Sequence, residues 1–471
     1  MKVLFINPPS INEILGNNPA IIESSRGCNP PLGILFIAAY LLENTSHEVS
    51  VIDCQVEGLD YSQLSVKLNS INFDIVGITA MTFTIIDVLE TIKTVRKIKP
   101  TAQIVLGGPH VNLYPDESIS LDGVDFLVLG EGEKVFSDLL CSLENGNSLE
   151  ELNGVVFKKQ LKIVNNGPSD IIEDLDSIPF PARHLTPYQD YSSLLAKRVP
   201  ITTMFTSRGC PFKCSFCNRP HLGKKFRAHS ALRVVEEFQN CLNLGIHEFL
   251  IYDDTFTVVK KRVKDICKLV IENKFDIGFD IRARVDTIDE EMLILLKKAG
   301  CRGIHYGIEA GTDKILKVLN KGITLEKAKE VFRLTSKHKM QTLAYFMIGS
   351  PTETIDDINE TFRVCRWLKP DFVHMTILTP FPGTPIYLDG LKTGAISKDY
   401  WREFAKKPSK DFSPPFWEEN FSKEQLHDLI IKGYKSFYTR PTYVINKALS
   451  VNSWGEFKRK SKAAMKVFKM K

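Results

Sequence analysis

Apolar residues come in short runs along the first part of the chain, at residues 3–6, 49–53, 75–79, 104–107 and 126–129. Runs of this length bounded by turn formers predict strands buried on both faces. Between them apolar positions recur three and four apart, at 33–43 and 85–98, which predicts helices with one buried side. Strands linked by crossover helices pair in parallel, so this alternation predicts a doubly wound α/β sheet. Ligands of such sheets sit outside the carboxyl ends of the strands. The turns there are Asn7-Pro8-Pro9, Thr79-Ala80-Met81-Thr82, Gly107-Gly108-Pro109-His110 and Gly130-Glu131-Gly132-Glu133. Glycine and small residues let a ligand approach the backbone, so these turns outline a binding rim.

From 141 to 195 the pattern loosens. Residues 155–159 and 162–165 predict a small hairpin, and 178–187 is a proline-punctuated linker. Alternation then resumes, with strands at 202–206, 248–252, 279–283, 303–308, 342–348 and 372–377. Helical spacing falls at 230–244, 260–272, 289–299, 324–338 and 354–368, with Asp289 and Thr324 placed as N-caps. Six units are too few to close an eight-fold barrel, so an open, partial (β/α)6 barrel is expected. The last stretch reads as helical. The expected division is a first domain at 1–140, a linker with the small hairpin at 141–195, the partial barrel at 196–415 and a helical extension at 416–471.

Composition changes this picture little. A chain of 471 residues that is 43% hydrophobic and 25% charged is expected to be soluble and to hold more than one core. A net charge of +5 over this length does not suggest a nucleic-acid partner. No apolar run is long enough to span a bilayer, and Met1-Lys-Val-Leu-Phe-Ile-Asn-Pro-Pro9 reads as a first strand rather than a secretory signal. A cytoplasmic location is therefore expected. Residues 450–471 place Trp454, Phe457, Met465 and Phe468 near one helical face and five lysines and arginines from Lys458 to Lys466 around the rest. Such a tail is either a solvated terminus or a peripheral contact with an anionic membrane, which would favour a lipid-like substrate.

Of ten cysteines, Cys28, Cys54, Cys141, Cys241, Cys267, Cys301 and Cys365 are scattered and read as reduced small hydrophobes. Cys210, Cys214 and Cys217 cluster just after the first barrel strand, where barrels place their chemistry. Chance, a zinc site completed by His221, and an electron-carrying cluster compete as explanations. The spacing departs from that of zinc sites, and no fourth cysteine stands nearby for a carrier. Three thiolates on a four-iron cluster leave one iron open, as a catalytic centre requires. The triplet, with Phe216 before its last cysteine, resembles the radical S-adenosylmethionine (SAM) superfamily over about residues 196–390. Tyr252-Asp-Asp-Thr-Phe256, Gly307-Ile-Glu-Ala-Gly311 and Phe346-Met-Ile-Gly-Ser-Pro-Thr-Glu353 follow strands as that resemblance implies. It implies a [4Fe–4S] cluster on Cys210, Cys214 and Cys217. It also implies SAM on the open iron, cleaved by one electron from an external flavodoxin or ferredoxin to a radical that takes hydrogen from an unactivated carbon. Glu309 is then a candidate for the ribose or ammonium of SAM, Arg284 for its carboxylate, and Phe216 and Gly349 for its surroundings. Arg284 and Glu309 could instead form structural ion pairs with one another or with neighbours, and Asp253 or Asp254 could cap the following helix.

The first domain has neither Gly-x-Gly-x-x-Gly nor Gly-x4-Gly-Lys-Ser/Thr at a strand end, which argues against a nucleotide. Its ordered set of turns, with Pro31-Leu-Gly-Ile34, resembles the flavodoxin-like cobalamin domain of B12-dependent radical SAM enzymes over residues 1–140. The resemblance implies corrin contacts at Pro31, Gly33, Thr79, Gly107, Gly108, Gly130, Glu131 and Gly132. Asp53-Cys-Gln-Val-Glu-Gly58 lacks the histidine of Asp-x-His-x-x-Gly, so no protein imidazole is expected on cobalt, and His110 is expected to be a loop residue. The function implied is methylation of an unactivated carbon of a small molecule. Alternatives are a non-methylating ring closure or carbon–carbon bond, an RNA methylthiotransferase (which would want a second cysteine cluster), and a non-catalytic cobalamin sensor. A degenerate first domain that binds no corrin is also open.

Overall fold

The structure is a computed structural model, which describes residues 1–19, 27–160, 162–193 and 196–449. The predicted basic helix at 450–471 lies outside the described residues.

The first sheet contains β1 (Lys2–Asn7), β2 (Glu48–Asp53), β3 (Ile75–Thr79), β4 (Gln103–Gly107) and β5 (Phe126–Val128), parallel and in the order β2-β1-β3-β4-β5. Helix Ile85–Ile98 buries Ile85, Val88, Ile92 and Val95, spaced three and four apart, on the face that carries Leu4, Ile6, Val76 and Ile78. Helices Leu32–Asn44 and Gly132–Asn145 cover the other face around Phe5, Val105 and Phe136. The sheet is thus doubly wound. The hairpin β6 (Val155–Lys159) and β7 (Lys162–Asn165) does not belong to a linker. It extends this sheet to seven strands, with β6 antiparallel to β5 and Phe157 opposite Phe126. Burial of Val155, Val156 and Phe157 gives the physical reason, since the hairpin covers what would be an open hydrophobic edge.

The second sheet starts with β8 (Ile201–Met204). A two-residue ladder of β9 (Ser207–Arg208) and β10 (Arg227–Ala228) follows it. Then come β11 (Glu248–Ile251), β12 (Gly278–Ala283), β13 (Cys301–Glu309), β14 (Gln341–Ile348) and β15 (Phe372–Ile377), parallel and in chain order. β8 and β15 are the two edges, so the barrel is open. Ser230, Asp289, Thr324 and Thr354 each accept from the amide three residues on and start the helices between the strands.

The C-terminal helix Lys423–Tyr438 closes the β15 edge. The Val373 and Met375 amides donate to Tyr438 Oη and Tyr434 Oη at 3.0 Å, and Ile377 donates to Asn18 Oδ1 at 2.9 Å. Every second amide, on the otherwise unpaired edge of β15, is satisfied in this way. Tyr434→Phe leaves the buried Met375 amide without its acceptor and is expected to cost about 1–3 kcal/mol in thermal unfolding, against a smaller change for the half-buried Tyr40→Phe.

Candidate active site between the two sheets

The rim of the first sheet is built around one residue the sequence did not single out. Asn112 Nδ2 donates to Gly108 O at 2.9 Å, while its Oδ1 accepts from Gly130 N at 2.8 Å, so it ties the two glycine turns together. Gly108 has φ +104°, and a Cβ there would lie 2.9 Å from Ala80 O and 3.3 Å from Thr79 Oγ1. Its lack of a side chain is therefore required by the turn itself, whatever binds above. Gly132 packs on Ile37, with a would-be Cβ 2.6 Å from its Cδ1. Gly33 is different: a Cβ there meets nothing within 4 Å. Gly107 is nearly as open, and Pro31 precedes the helix that starts at Leu32. Glu131 does not point to an empty rim. Its Oε1 accepts from Arg208 and its Oε2 from Arg227, both at 2.7 Å, and Oε2 also accepts from the Ile172 amide at 2.6 Å.

The cysteine loop leaves β8 through a clamp. Asp253 is fully buried and accepts from the Thr206 amide at 2.6 Å, the Ser207 amide at 3.1 Å and both hydroxyls at 2.6 Å. It caps no helix, because the next one begins at Lys260 with Val259 at its N-cap. Asp254 instead pairs with Arg219 at 2.7 Å. Farther along, Ser215 donates to Leu319 O at 3.0 Å and Val318 O at 3.1 Å, and Asn320 donates to Lys213 O at 2.7 Å. The loop is thereby fixed over β12 and β13. Cys210 Sγ is 3.9 Å from Thr255 Oγ1 and Cys214 Sγ is 3.8 Å from Arg284 Nη1. Burial pushes the Cys217 thiol up, Arg219 pulls it back, and charge on Cys214 or Cys210 raises it. The three thiols thus share one neighbourhood, with the Arg284 guanidinium beside Cys214 and Arg219 acting on Cys217.

The two carboxyl-end rims face each other. Arg208 reaches from the cysteine loop to Glu131 at 2.7 Å and Glu133 at 2.5 Å, all three buried. Asn29 donates to Tyr252 Oη at 3.1 Å, and Asn17 donates to Thr379 Oγ1 at 3.0 Å. Phe83 packs edge-on against Phe381 at 5.4 Å and Trp401 at 6.3 Å between centroids. The glycine rim and the cysteine loop therefore lie on opposite walls of a single interdomain site.

The radical SAM superfamily profile matches residues 204–365 and the B12 binding domain profile matches residues 19–140. An uncharacterized methyltransferase of Pyrococcus horikoshii, PH0819, is 33% identical over 94% of this chain and 94% of its own length. The chain belongs to the B12-binding radical SAM enzymes. The anaerobic magnesium-protoporphyrin IX monomethyl ester cyclase of Rubrivivax gelatinosus is 27% identical over 94% of this chain and 78% of its own. Among solved structures, the cobalamin-dependent SAM radical enzyme OxsB shares the fold with a TM-score of 0.75, at 17% identity, over 99% of this chain and 72% of its own. The methyltransferase TsrM of Kitasatospora setae gives 0.68, at 18% identity, over 84% of this chain and 75% of its own.

The enzyme's cofactors are accordingly a [4Fe–4S] cluster, SAM and cobalamin. Its residues fit them. Among the described residues no three His, Cys, Asp or Glu side chains converge on one ion. A cubane does not need that, because its thiolates bind separate irons. Charge on Asp254, Arg208, Glu131 and Glu133 acts on the His221 ring, whose buried Nδ1 has no hydrogen-bond partner. Glu309, at φ +74° on the end of β13, takes Lys321 at 2.7 Å, and Lys321 Nζ is 5.9 Å from the Phe216 ring. Arg284 does not pair with Glu309. Both of its outer nitrogens on one side bind Asp286 at 2.9 Å, its plane lies 3.8 Å from the Phe212 ring, and it also donates to Lys321 O. It braces the cysteine loop. Lys321 was not legible as a site residue, although the turn Asn320-Lys-Gly322, with φ of +46° and +67° at its ends, marks a built loop.

Gly349 (φ +81°) donates its amide to Glu353 Oε2 at 2.6 Å, as Ser350 does at 2.9 Å. Burial raises the Glu353 carboxyl to about 7 against those two bonds. A carboxyl raised on folding stabilises fully below its ordinary value near 4.5 and loses that contribution as pH rises through about 7. Stability in urea is thus expected to fall between pH 5 and 8 by roughly 2–3 kcal/mol from this group, and Glu353→Gln to flatten that slope.

For the corrin, Gly33 offers the informative substitution. The Cβ of Gly33→Val meets no protein atom within 4 Å, and the variant is expected to keep the melting temperature while lowering cobalt per chain after reconstitution at least about tenfold. Unchanged cobalt would remove Gly33 from the site.

Proposed function

We propose that the enzyme methylates an unactivated carbon of a small molecule, receiving electrons singly from a flavodoxin- or ferredoxin-type donor in the cytoplasm. The observation that carries this reading is the Arg208 link, which sets the glycine rim opposite the cysteine loop across one enclosed site. When bound, the cluster and SAM supply a carbon radical and the corrin supplies a methyl group. The chain's own part is to hold the two apart at fixed distance. Arg208, Glu131 and Glu133 fix the spacing, Phe83, Phe381 and Trp401 pack on one side, and Arg219 and Arg284 stand near Cys217 and Cys214. His110 supports a cobalt without protein imidazole: it is wholly buried, with Nδ1 on Thr82 Oγ1 at 3.1 Å. Two relatives named as methyltransferases, PH0819 and the cytidylyl-2-hydroxyethylphosphonate enzyme of Streptomyces wedmorensis, support methylation.

The likeness to the protoporphyrin cyclase favours one second reading, a non-methylating ring closure. An RNA methylthiotransferase finds no support in Cys28, Cys54 and Cys141, of which Cys54 is buried in the turn after β2 and Cys141 exposed on helix Gly132–Asn145. Among the described residues no helix is long and apolar enough to cross a membrane. Anaerobically reconstituted enzyme given methyl-labelled SAM and a small-molecule extract should form 5′-deoxyadenosine and S-adenosylhomocysteine together, with label in a new product. 5′-Deoxyadenosine and product without S-adenosylhomocysteine would replace methylation by ring closure.

A further inference from the structure

Strand alternation divides the barrel's side chains into two sets. Phe279, Ile281, Ala283, Ile304, Tyr306, Ile308, Ala344 and Phe346 point outward into the core beneath the helices. Asp280, Arg282, His305, Tyr345 and His374 are the half-buried residues that alternate with this outward set, and they point into the lumen.

Among the described residues, Asp280 and Arg282 are the lumen's charged side chains outside a Lys/Arg–carboxylate pair, and Asp280 Oδ2 lies 4.0 Å from His305 Nε2. At the mouth, Lys321 pairs with Glu309 and Arg284 with Asp286. Other interior arginines near the site have acids of their own: Arg183 has Glu237, Arg208 has Glu131 and Glu133, and Arg219 has Asp254. Arg282 has none among the described residues. Its guanidinium lies 4.2 Å from the Tyr252 ring, which leaves the N–H edge free. His305 and Tyr345 stand beside it, with His305 Nδ1 3.2 Å from Tyr345 Oη. Burial, and then Arg282 itself, lower His305 to about 4, so the ring is neutral near pH 7 and adds no second charge. Asp280 is one layer deeper and faces Arg302.

We propose that Arg282 anchors an oxyanion of the substrate, a carboxylate or a phosphate, at the floor of the interdomain site, with Tyr252 and Tyr345 on its flanks. A guanidinium stacked on one ring and open at its edge presents the fork that binds two oxygens at once. Tyr252 is held in turn by Asn29 of the first domain, which donates to its Oη at 3.1 Å. This anchor deepens the reading of the site given above by naming the substrate class, and it rests on that reading for its place beside the SAM site.

The test uses reconstituted holoenzyme and three probes of one shape: benzoate, phenyl phosphate and the neutral benzamide. Saturation-transfer NMR titration should show benzoate or phenyl phosphate bound at least about tenfold tighter than benzamide, and the tighter of the two identifies the oxyanion. Arg282→Gln should erase the preference, and Arg282→Lys should keep part of it, while iron and cobalt content stay at wild-type values. Equal binding of benzoate and benzamide, a preference that survives Arg282→Gln, or no saturable anion binding at all overturns the proposal. Methyl transfer is scored separately: its absence, with the anion preference intact, sinks the methyltransferase reading and leaves the oxyanion site standing.

Discussion

Cys210→Ala abolishes SAM cleavage and drops iron from about four per chain toward background after anaerobic reconstitution. Cys210 is the deepest of the three thiols, 4% exposed, and its loop is held from both sides by Asp253 and by the Ser215 bonds to Val318 and Leu319. A loop so constrained has no other thiol to offer. The remaining cysteines of the second domain, Cys241, Cys267, Cys301 and Cys365, are buried in the barrel core, their thiols pushed up by that burial. Cys301→Ala is accordingly expected to keep its iron and its 5′-deoxyadenosine formation. Stoichiometric zinc without iron absorbance in the wild type, or a cluster retained in Cys210→Ala, would overturn the assignment of the triplet.

The elements were legible because each rests on local periodicity. Helix Ile85–Ile98 falls where the apolar spacing places it, and β3 (Ile75–Thr79) likewise. The cysteine triplet was legible because three metal-binding side chains within eight positions leave a signature in the chain itself. What escaped depends on contacts between distant residues. Pairing of β5 with β6 gives no periodic signal that assigns the hairpin to one sheet, so it read as linker. Asn112 bridging two turns, Asp253 clamping a strand end, and Lys321 meeting Glu309 are each single polar side chains whose partners lie up to tens of residues away. Glu131 was noticed because it lies between glycines at a strand end. Its partners, Arg208 and Arg227, are 77 and 96 residues along the chain, and only the folded structure shows that its role is to join the domains.

That joint supplies the second large effect. Arg208→Met removes the only hydrogen-bonded partner of Glu133 among the described residues and one of two guanidiniums on Glu131. Glu131 and Glu133 are 5% and 4% exposed, so neither carboxylate can turn to water in place. Leaving a buried charge unpaired costs about 3–5 kcal/mol, more than the methionine recovers by packing against Phe36, which the Arg208 guanidinium now covers at 5.3 Å. A large loss in urea or thermal unfolding is therefore expected, with the first and second domains melting apart. Adding Glu133→Gln to Arg208→Met removes the stranded charge and should restore part of the loss, which an effect of packing alone would not show. The pH dependence has a definite sign. Burial alone would raise the Glu131 carboxyl, but Arg227 and Arg208 outweigh it and hold it below its ordinary value. Its contribution is thus present above about pH 4.5 and lost as pH falls through the lowered value, and Arg208→Met should shrink that acid-side loss. Variants that remain folded should keep iron on the three cysteines yet transfer less methyl per SAM cleaved, because Arg208 sets the distance between the glycine rim and the cysteine loop. Equal stability and equal coupling in Arg208→Met would show that some other contact aligns the two domains.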